Sequence, residues 1–385
     1  MPIPKDLFLL DPGVVFLNHG SFGATPRPVF EAYQDWQRRL ECQPVQFLAT
    51  DLPALLLDAR ASLGAYLNAP AGDLVFITNA TYGVNTIARS LRLDPGDEIL
   101  TSDHEYGACD RTWEYLCARS GAHYVRQSIP LPVCDSQEIE EALWQGVSAR
   151  TRLIFLSHIT SPTALTLPVE AICRRARASG ILTFVDGAHA PGQIPVDLQA
   201  IGADFYTGNC HKWMMTPKGA AFLYARPEAQ PLVEPLVVSW GWKPEPSFTT
   251  GSPFVDVLQW LGTHDPSAAL AVPAALRFME AHDWPSVSLE CQALLDDALG
   301  RIGALTSLKR LYPPGAGFYR QMACASLPHQ EDLPGFKSRL YKQYQIEVPC
   351  IEWNGMHLLR ISVQGYNTRE DIDRLLQALE KMIGE

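Results

Sequence analysis

The chain has 385 residues, 47 % hydrophobic and 19 % charged, a globular composition with enough apolar material for a large domain and a smaller companion. A formal net charge of -11 excludes the broad positive field that a nucleic-acid surface or an anionic membrane would require. There is no signal-peptide pattern and no apolar run long enough to span a bilayer, and the nine cysteines form no Cys-x-x-Cys pair, so a cytoplasmic protein with reduced thiols is expected.

Residues 1–23 read as an irregular arm that contains Asn18-His19-Gly20-Ser21-Phe22-Gly23. Helical periodicity takes over from about Pro28, and again from Pro53 to about Leu67. Seven short apolar runs follow: Leu74 to Thr78, Glu98 to Thr101, His123 to Arg126, Arg152 to Ser157, Ile181 to Val185, Asp204 to Thr207 and Ala220 to Tyr224. Helical stretches lie between them, bounded by turn and helix-end residues such as Asp94-Pro95-Gly96-Asp97, Ser120-Gly121 and Ser179-Gly180. Strand and helix alternating at this spacing predict an α/β fold, with a mostly parallel seven-stranded sheet flanked by helices. Ligands of such sheets lie beyond the carboxyl ends of the strands, where Asn79, Ser157, Asp186 and Thr207 stand.

Val238 to Pro266 is rich in Trp, Gly, Pro and Thr without sustained periodicity, so it reads as a long functional loop. From Pro273 a helical run leads into an α+β region that ends in a helix from Asn367 to Met382, started by Thr368 with Glu370 and Asp371 in the first turn. The expected division is an N-terminal arm over 1–23, a large domain over 24–265 and a small C-terminal domain over 266–385.

Lys212 sits in Thr207-Gly208-Asn209-Cys210-His211-Lys212-Trp213, downstream of the run that ends in Asp186. A lysine amine forms a Schiff base with an aldehyde only when unprotonated, and apolar neighbours such as Trp213, Met214 and Met215 lower its pKa. A carboxylate at a strand end is placed to keep a pyridine nitrogen protonated, which lets pyridoxal 5'-phosphate act as an electron sink. Its phosphate belongs where a strand hands over to a helix N-terminus, and Asn79-Ala80-Thr81-Tyr82-Gly83 fits that place. Arg360 lies in the apolar run Leu358-Leu359-Arg360-Ile361-Ser362, where an unpaired guanidinium is expensive to bury. Taken singly, Lys212 also reads as a surface lysine, Asp186 as a turn residue, Thr81 as a helix cap and Arg360 as half of a structural ion pair.

Four segments match one family in order and spacing: Asn18 to Gly23, Asp186-Gly187-Ala188-His189, Thr207 to Trp213, and Arg360-Ile361-Ser362 followed by Tyr366-Asn367. From Phe16 to the C-terminus the chain resembles class V aminotransferase-fold enzymes, which use pyridoxal 5'-phosphate, and within them the isopenicillin N epimerase-like group. The resemblance implies a type I PLP-dependent transferase fold whose large domain binds the cofactor. It implies Lys212 as the Schiff-base lysine and Asp186 as partner of the pyridinium nitrogen. His189 would hydrogen-bond the phenolic oxygen, where relatives often have Gln, and Ser161 stands where relatives often carry an Asn beside that oxygen. Asn79, Ala80 and Thr81 would hold the phosphate together with Thr207 and His211. Tyr106 would stack on the ring, with His104 as the competing residue. Arg360 resembles the arginine that grips the substrate α-carboxylate. His19 on the arm is taken as a substrate-side residue, although the arm around it reads equally as packing. Gly262-Thr263-His264 resembles the segment that reaches the neighbouring subunit's phosphate, so a homodimer is expected in which Thr263 enters the partner's site. Thr263 also reads as an ordinary loop residue.

Members of this fold share the lysine linkage and differ in the bond they break. A cysteine desulfurase needs a mobile loop with a nucleophilic cysteine shortly before the carboxylate-binding arginine, and the connection from Val348-Pro349-Cys350 to Arg360 is too short to hold one. An epimerase needs Lys212 to take the α-proton on one face and a second acid to return one on the other, with Tyr106 and His104 on offer. A C–S lyase acting on an S-substituted cysteine needs only the first of these, followed by loss of sulfur from the β-carbon. An aminotransferase stands third, since no feature for an amine acceptor is visible. The expected substrate is therefore an amino acid or a derivative of one, with epimerase or racemase chemistry first and β-elimination as the alternative. No metal is expected, because His104, His158, His189 and His211 lack the i, i+4 ligand pattern. Trp240, Trp242 and Phe47 read equally as pocket or as packing.

Overall fold

The computed structural model describes residues 3–245, 249–315 and 317–383. Its strands in chain order are β1 (Val15–Phe16), β2 (Leu74–Ile77), β3 (Glu98–Ser102), β4 (His123–Gln127), β5 (Thr151–Ser157), β6 (Leu182–Asp186), β7 (Phe205–Asn209), β8 (Ala221–Ala225), β9 (Met322–Leu327), β10 (Ile346–Glu347), β11 (Cys350–Trp353) and β12 (Met356–Ser362). The seven expected runs form one seven-stranded sheet in the order β2-β8-β7-β6-β5-β3-β4. β8 runs antiparallel to both its neighbours and every other pairing is parallel.

The central strands are apolar on both faces because helices cover both. Successive side chains alternate across the pleat. Phe155, Phe184 and Phe205 pack with Val84, Ile87 and Trp113 from helices Ala80–Ser90 and Gly107–Ser120. Their neighbours Leu156, Val185 and Tyr206 face a second cluster with Ile172 and Cys173 of helix Val169–Ala178. Pairing in register sets Ser157 beside Asp186 and Asp186 beside Thr207, so polar strand ends line up along one edge.

A second, antiparallel sheet has the order β11-β12-β9. The turn between β11 and β12 is Asn354-Gly355, with φ of 45° and 74°, the left-handed pair that a two-residue hairpin needs. That turn fixes the hairpin register with Cys350 opposite Leu359, and on its other side β12 pairs with β9 so that Arg360 stands opposite Cys324. The arm is more regular than expected. β1 pairs in parallel with β10, and Leu17 accepts a 2.9 Å hydrogen bond from the Ser362 amide. Gly23 has φ 72°, and a Cβ there would lie 2.1 Å from the His211 carbonyl oxygen, so the arm is clamped against the Lys212 segment.

Helices Arg27–Cys42, Leu52–Leu67 and Arg369–Ile383 stand where periodicity predicts them. The segment from 238 to 266 is not all loop: Ser252 caps a helix over Pro253–Gln259 by accepting from the Val255 amide at 3.3 Å. Residues 246–248 of that segment lie outside the described residues. Among the described residues, no helix is long and apolar enough to cross a membrane.

Candidate active site

A cavity of about 420 Å³ opens along the polar edge of the large sheet. Lys212, Asp186 and His189 line it, as do Asn79, Ala80, Thr81, Tyr106, Ser161 and His211. A larger cavity of about 960 Å³ lies elsewhere, bordered by Tyr66, Pro195, Trp284 and Leu289. Its walls contain no lysine, so nothing there joins a nucleophilic amine to a strand-end carboxylate.

Lys212 is partly open to the smaller cavity and otherwise enclosed by protein. That enclosure brings its ammonium down to about 8; Asp186 acts to raise it and Arg360 to lower it further. The amine lies 3.1 Å from His189 Nε2. Trp213 Nε1 donates to His189 Nδ1 at 3.3 Å, which assigns the ring proton to Nε2. Burial keeps that imidazole neutral. His189 therefore presents an N–H to Lys212, a contact that suits a free amine with a lone pair and not an ammonium. Asp186 is buried at the end of β6, where its Oδ1 accepts from the Ala188 amide at 2.9 Å and its Oδ2 from the Cys109 thiol at 3.5 Å. Burial raises its pKa and Lys212 acts against that rise.

The start of helix Ala80–Ser90 forms the opposite end. Asn79 Oδ1 accepts from the Tyr82 amide at 2.9 Å, and the Ala80 amide donates to Asn209 Oδ1 at 2.8 Å. His211 donates through Nδ1 to the Ala220 carbonyl at 3.2 Å, and burial holds the ring down at about 4, so it is neutral near pH 7.

Arg360 is 5 % exposed. Its Nη1 donates to the Ser161 carbonyl and to Ser161 Oγ, and its Nη2 to Ser21 Oγ at 3.2 Å. Its Nε is buried without any partner. Among the described residues no carboxylate is paired with it, which removes the structural ion pair as an account of this residue.

Five expected side chains do not line the cavity, and the first is Arg360 itself, whose fork stands behind Ser161 and Ser21, which do line it. His104 is fully buried, bonded at 2.7 Å to both Thr163 Oγ1 and the Ile129 carbonyl and packed on Trp353, so it is sealed away from any reacting atom. His19 is likewise buried; its ring bonds Tyr366 and the Lys212 carbonyl, and burial takes its pKa down to about 3. It pins the arm beneath Lys212 instead of meeting a substrate. Thr207 lies one layer below the strand end, donating to the Phe222 carbonyl at 2.9 Å against Gly83, whose added Cβ would meet the Thr207 hydroxyl at 2.6 Å. Thr263 is exposed and lines no part of this chain's cavity. Phe47 is core, packed on Trp36.

Three other residues line the cavity unannounced by the sequence, Asn209, Ser21 and Lys218, and Glu105 lies buried behind Ser157. Asn209 was legible as a strand-terminal amide two residues beyond Thr207. Glu105 bridges two strand ends, accepting from Ser102 Oγ at 2.7 Å and from the Ser157 amide and hydroxyl at 2.9 and 2.6 Å. Burial, with Asp186 and Asp110 adding to it, raises its pKa from 4.5 to about 8. The folded state thus holds this proton where the unfolded chain has lost it, so its stabilising contribution is complete below about 4.5 and is lost as pH rises to about 8. Glu105→Gln keeps the three contacts without the charge. Its melting temperature should pull ahead of the parent's between pH 5 and 8 by about 2 °C or more and gain nothing further above that. A gap independent of pH in thermal scans would contradict the protonated carboxyl.

Residues 15–375 match the family model Aminotransferase class-V. The chain belongs to that family. As a class V aminotransferase it is a pyridoxal phosphate enzyme. It is 36 % identical to the isopenicillin N epimerase of Streptomyces clavuligerus, over 98 % of this chain and 97 % of that one. It is 29 % identical to the probable chloroplastic L-cysteine desulfhydrase of Arabidopsis thaliana, over 97 % of this chain and 84 % of the other. The apo cysteine desulfurase of Thermococcus onnurineus superposes with a TM-score of 0.82 at 19 % identity, covering 100 % of this class V chain and 99 % of its own. Likeness at that identity establishes the fold, a mostly parallel α/β sheet with a smaller C-terminal sheet, and not the reaction. The cavity fits the cofactor on its own terms: it holds an amine whose pKa burial lowers to about 8, a buried carboxyl group at a strand end, and a helix N-terminus for an anion.

Proposed function

We propose that this chain is an epimerase or racemase that acts at the α-carbon of an amino acid or an amino-acid-derived substrate. One observation carries the reading: Lys212 and Tyr106 reach the same cavity from different elements, while the competing acid, His104, is locked in the core. Identity of 36 % with an epimerase along nearly the whole chain supports it.

In this reading Lys212 binds the cofactor aldehyde, Asp186 pairs with the ring nitrogen and His189 meets the phenolic oxygen. Asn79, Ala80 and Thr81 hold the phosphate with His211. When bound, the cofactor supplies an electron sink that acidifies the substrate's α-C–H bond. Arg360 grips the α-carboxylate, and Ser161 and Ser21 orient its fork. Lys212 takes the α-proton, and Tyr106 gives a proton to the face that Lys212 does not reach. Arm 1–23, large domain 24–265 and small domain 266–385 form one half of a homodimer, with Thr263 of each copy directed to the other.

A lyase acting on S-substituted cysteine is the second reading, favoured by the desulfhydrase relative. A persulfide-forming desulfurase is disfavoured. Cys350 pairs with Leu359 in the hairpin that leads to Arg360, so no mobile loop carries it, and Cys324 is buried against the Pro162 carbonyl. Incubation with amino acids and S-substituted cysteines in heavy water separates the readings. Racemised product carrying α-deuterium is expected, whereas pyruvate and ammonia would replace the epimerase with the lyase. Tyr106→Phe should slow racemisation by about a hundredfold or more while deuterium still enters with retention through Lys212. Equal loss of both activities would remove Tyr106 from the role of second acid.

A further inference from the structure

We propose that Lys218 is the charge partner of the cofactor phosphate, an inference that rests on reading the cavity as a pyridoxal phosphate site. The strands place it. Ala221, the first residue of β8, pairs with both Ile77 of β2 and Asn209 of β7. Because β8 runs antiparallel to both, the residues before it stand over the carboxyl ends of those strands. Lys218 and Gly219 thereby reach the cavity beside Thr78, Asn79 and Asn209, and both line it.

That end of the cavity is otherwise poor in positive charge. Asn79, Thr81 and Asn209 are neutral, and His211 is neutral near pH 7. Lys212 is committed to the aldehyde in the proposed function. The helix N-terminus offers only a partial charge, and two of its amides are already engaged by Asn79 and Asn209. A phosphate with nearly two negative charges would leave much of its charge uncompensated there. Lys218 supplies the missing cation. Its ammonium donates to the Gly23 carbonyl at 3.0 Å, no carboxylate among the described residues acts on it, and its charge is felt at His211. Two of its three N–H donors are left for an anion. The same contact ties the arm to the phosphate end, so loading the cofactor and seating residues 21–23 become linked.

The test compares pyridoxal phosphate with pyridoxal, which has the aldehyde and the ring but no phosphate. Dissociation constants are measured by absorbance titration of the full-length apo chain. Lys218→Gln keeps a donor for the Gly23 carbonyl and removes the charge. It should weaken pyridoxal phosphate by roughly tenfold to a hundredfold, the worth of one charge-assisted hydrogen bond, and leave pyridoxal within about twofold. Lys218→Arg should restore most of the affinity. Equal weakening of both ligands would make Lys218 only a strut for the arm, and no change in either would remove it from the site; both results overturn the proposal. If the parent chain binds neither ligand, the pyridoxal phosphate reading itself fails and takes this one with it. Binding of both by the parent with no discrimination in Lys218→Gln fails this proposal alone.

Discussion

Lys212→Ala is expected to lower kcat/KM by about 10⁴-fold or more and to abolish the visible absorption band of lysine-bound cofactor, while the protein stays folded. The variant loses the attachment point and the base together, and neither His189 nor Tyr106 can replace an amine. A second signature lies in pH. With the Lys212 ammonium brought down to about 8, half of the amine is free at that pH and nearly all of it about one unit above. The rate at which the apo chain takes up pyridoxal phosphate should therefore climb through pH 7 and 8 and level off above about pH 9. A lysine with its ordinary pKa near 10.4 would still be climbing there. Continued increase up to pH 10, measured by stopped-flow absorbance, would mean that enclosure does not lower this amine. A visible band that survives in Lys212→Ala would move the attachment to another lysine.

The sheet was legible from periodicity, and the reactive pair from its place at the strand ends together with the family resemblance. Periodicity set the strands, so Asp186 at the end of β6 and Lys212 just beyond β7 fell at one polar edge, and the resemblance of four segments to one family singled those two out from the other polar residues there. The misread residues depend instead on depth and direction, which periodicity does not encode. Thr207 and Asn209 share a strand face, yet two residues along β7 separate a hydroxyl under helix Ala80–Ser90 from an amide at the cavity floor. Asp103 to Tyr106 form a turn after β3 in which His104 and Glu105 point inward while Tyr106, 47 % exposed, points out. Which way each turned was decided by Trp353 and Ser157, 249 and 52 residues away in sequence from those two. The arm was similarly opaque, since His19 is buried by residues far along the chain, Trp213, Gln364 and Tyr366. Lys218 carried no signal, because its position depends on β8 running against its neighbours.

Arg360→Met is expected to raise KM for an amino-acid substrate by about 10²- to 10³-fold, the loss of two charge-assisted hydrogen bonds, without lowering the melting temperature of the cofactor-free protein. The second half of that expectation separates a ligand-binding arginine from a structural one. Breaking a buried ion pair by removing one member typically costs about 3–5 kcal/mol, because the other charge is stranded. Here nothing would be stranded: Ser161 and Ser21 are neutral acceptors, and Nε already lacks a partner. Burial of an uncompensated guanidinium opposes folding, as its lowered pKa reflects, so a thioether of similar length should leave thermal stability level or higher. Arg360→Lys should recover little binding, since a single ammonium cannot reproduce a planar fork. A melting temperature that falls by several degrees in Arg360→Met with an unchanged KM would make Arg360 a structural residue. The substrate also offers a control within one enzyme. An amine that lacks the α-carboxylate should bind the parent weakly and the variant no worse, so the ratio of the two KM values collapses only if the carboxylate is what this buried charge awaits.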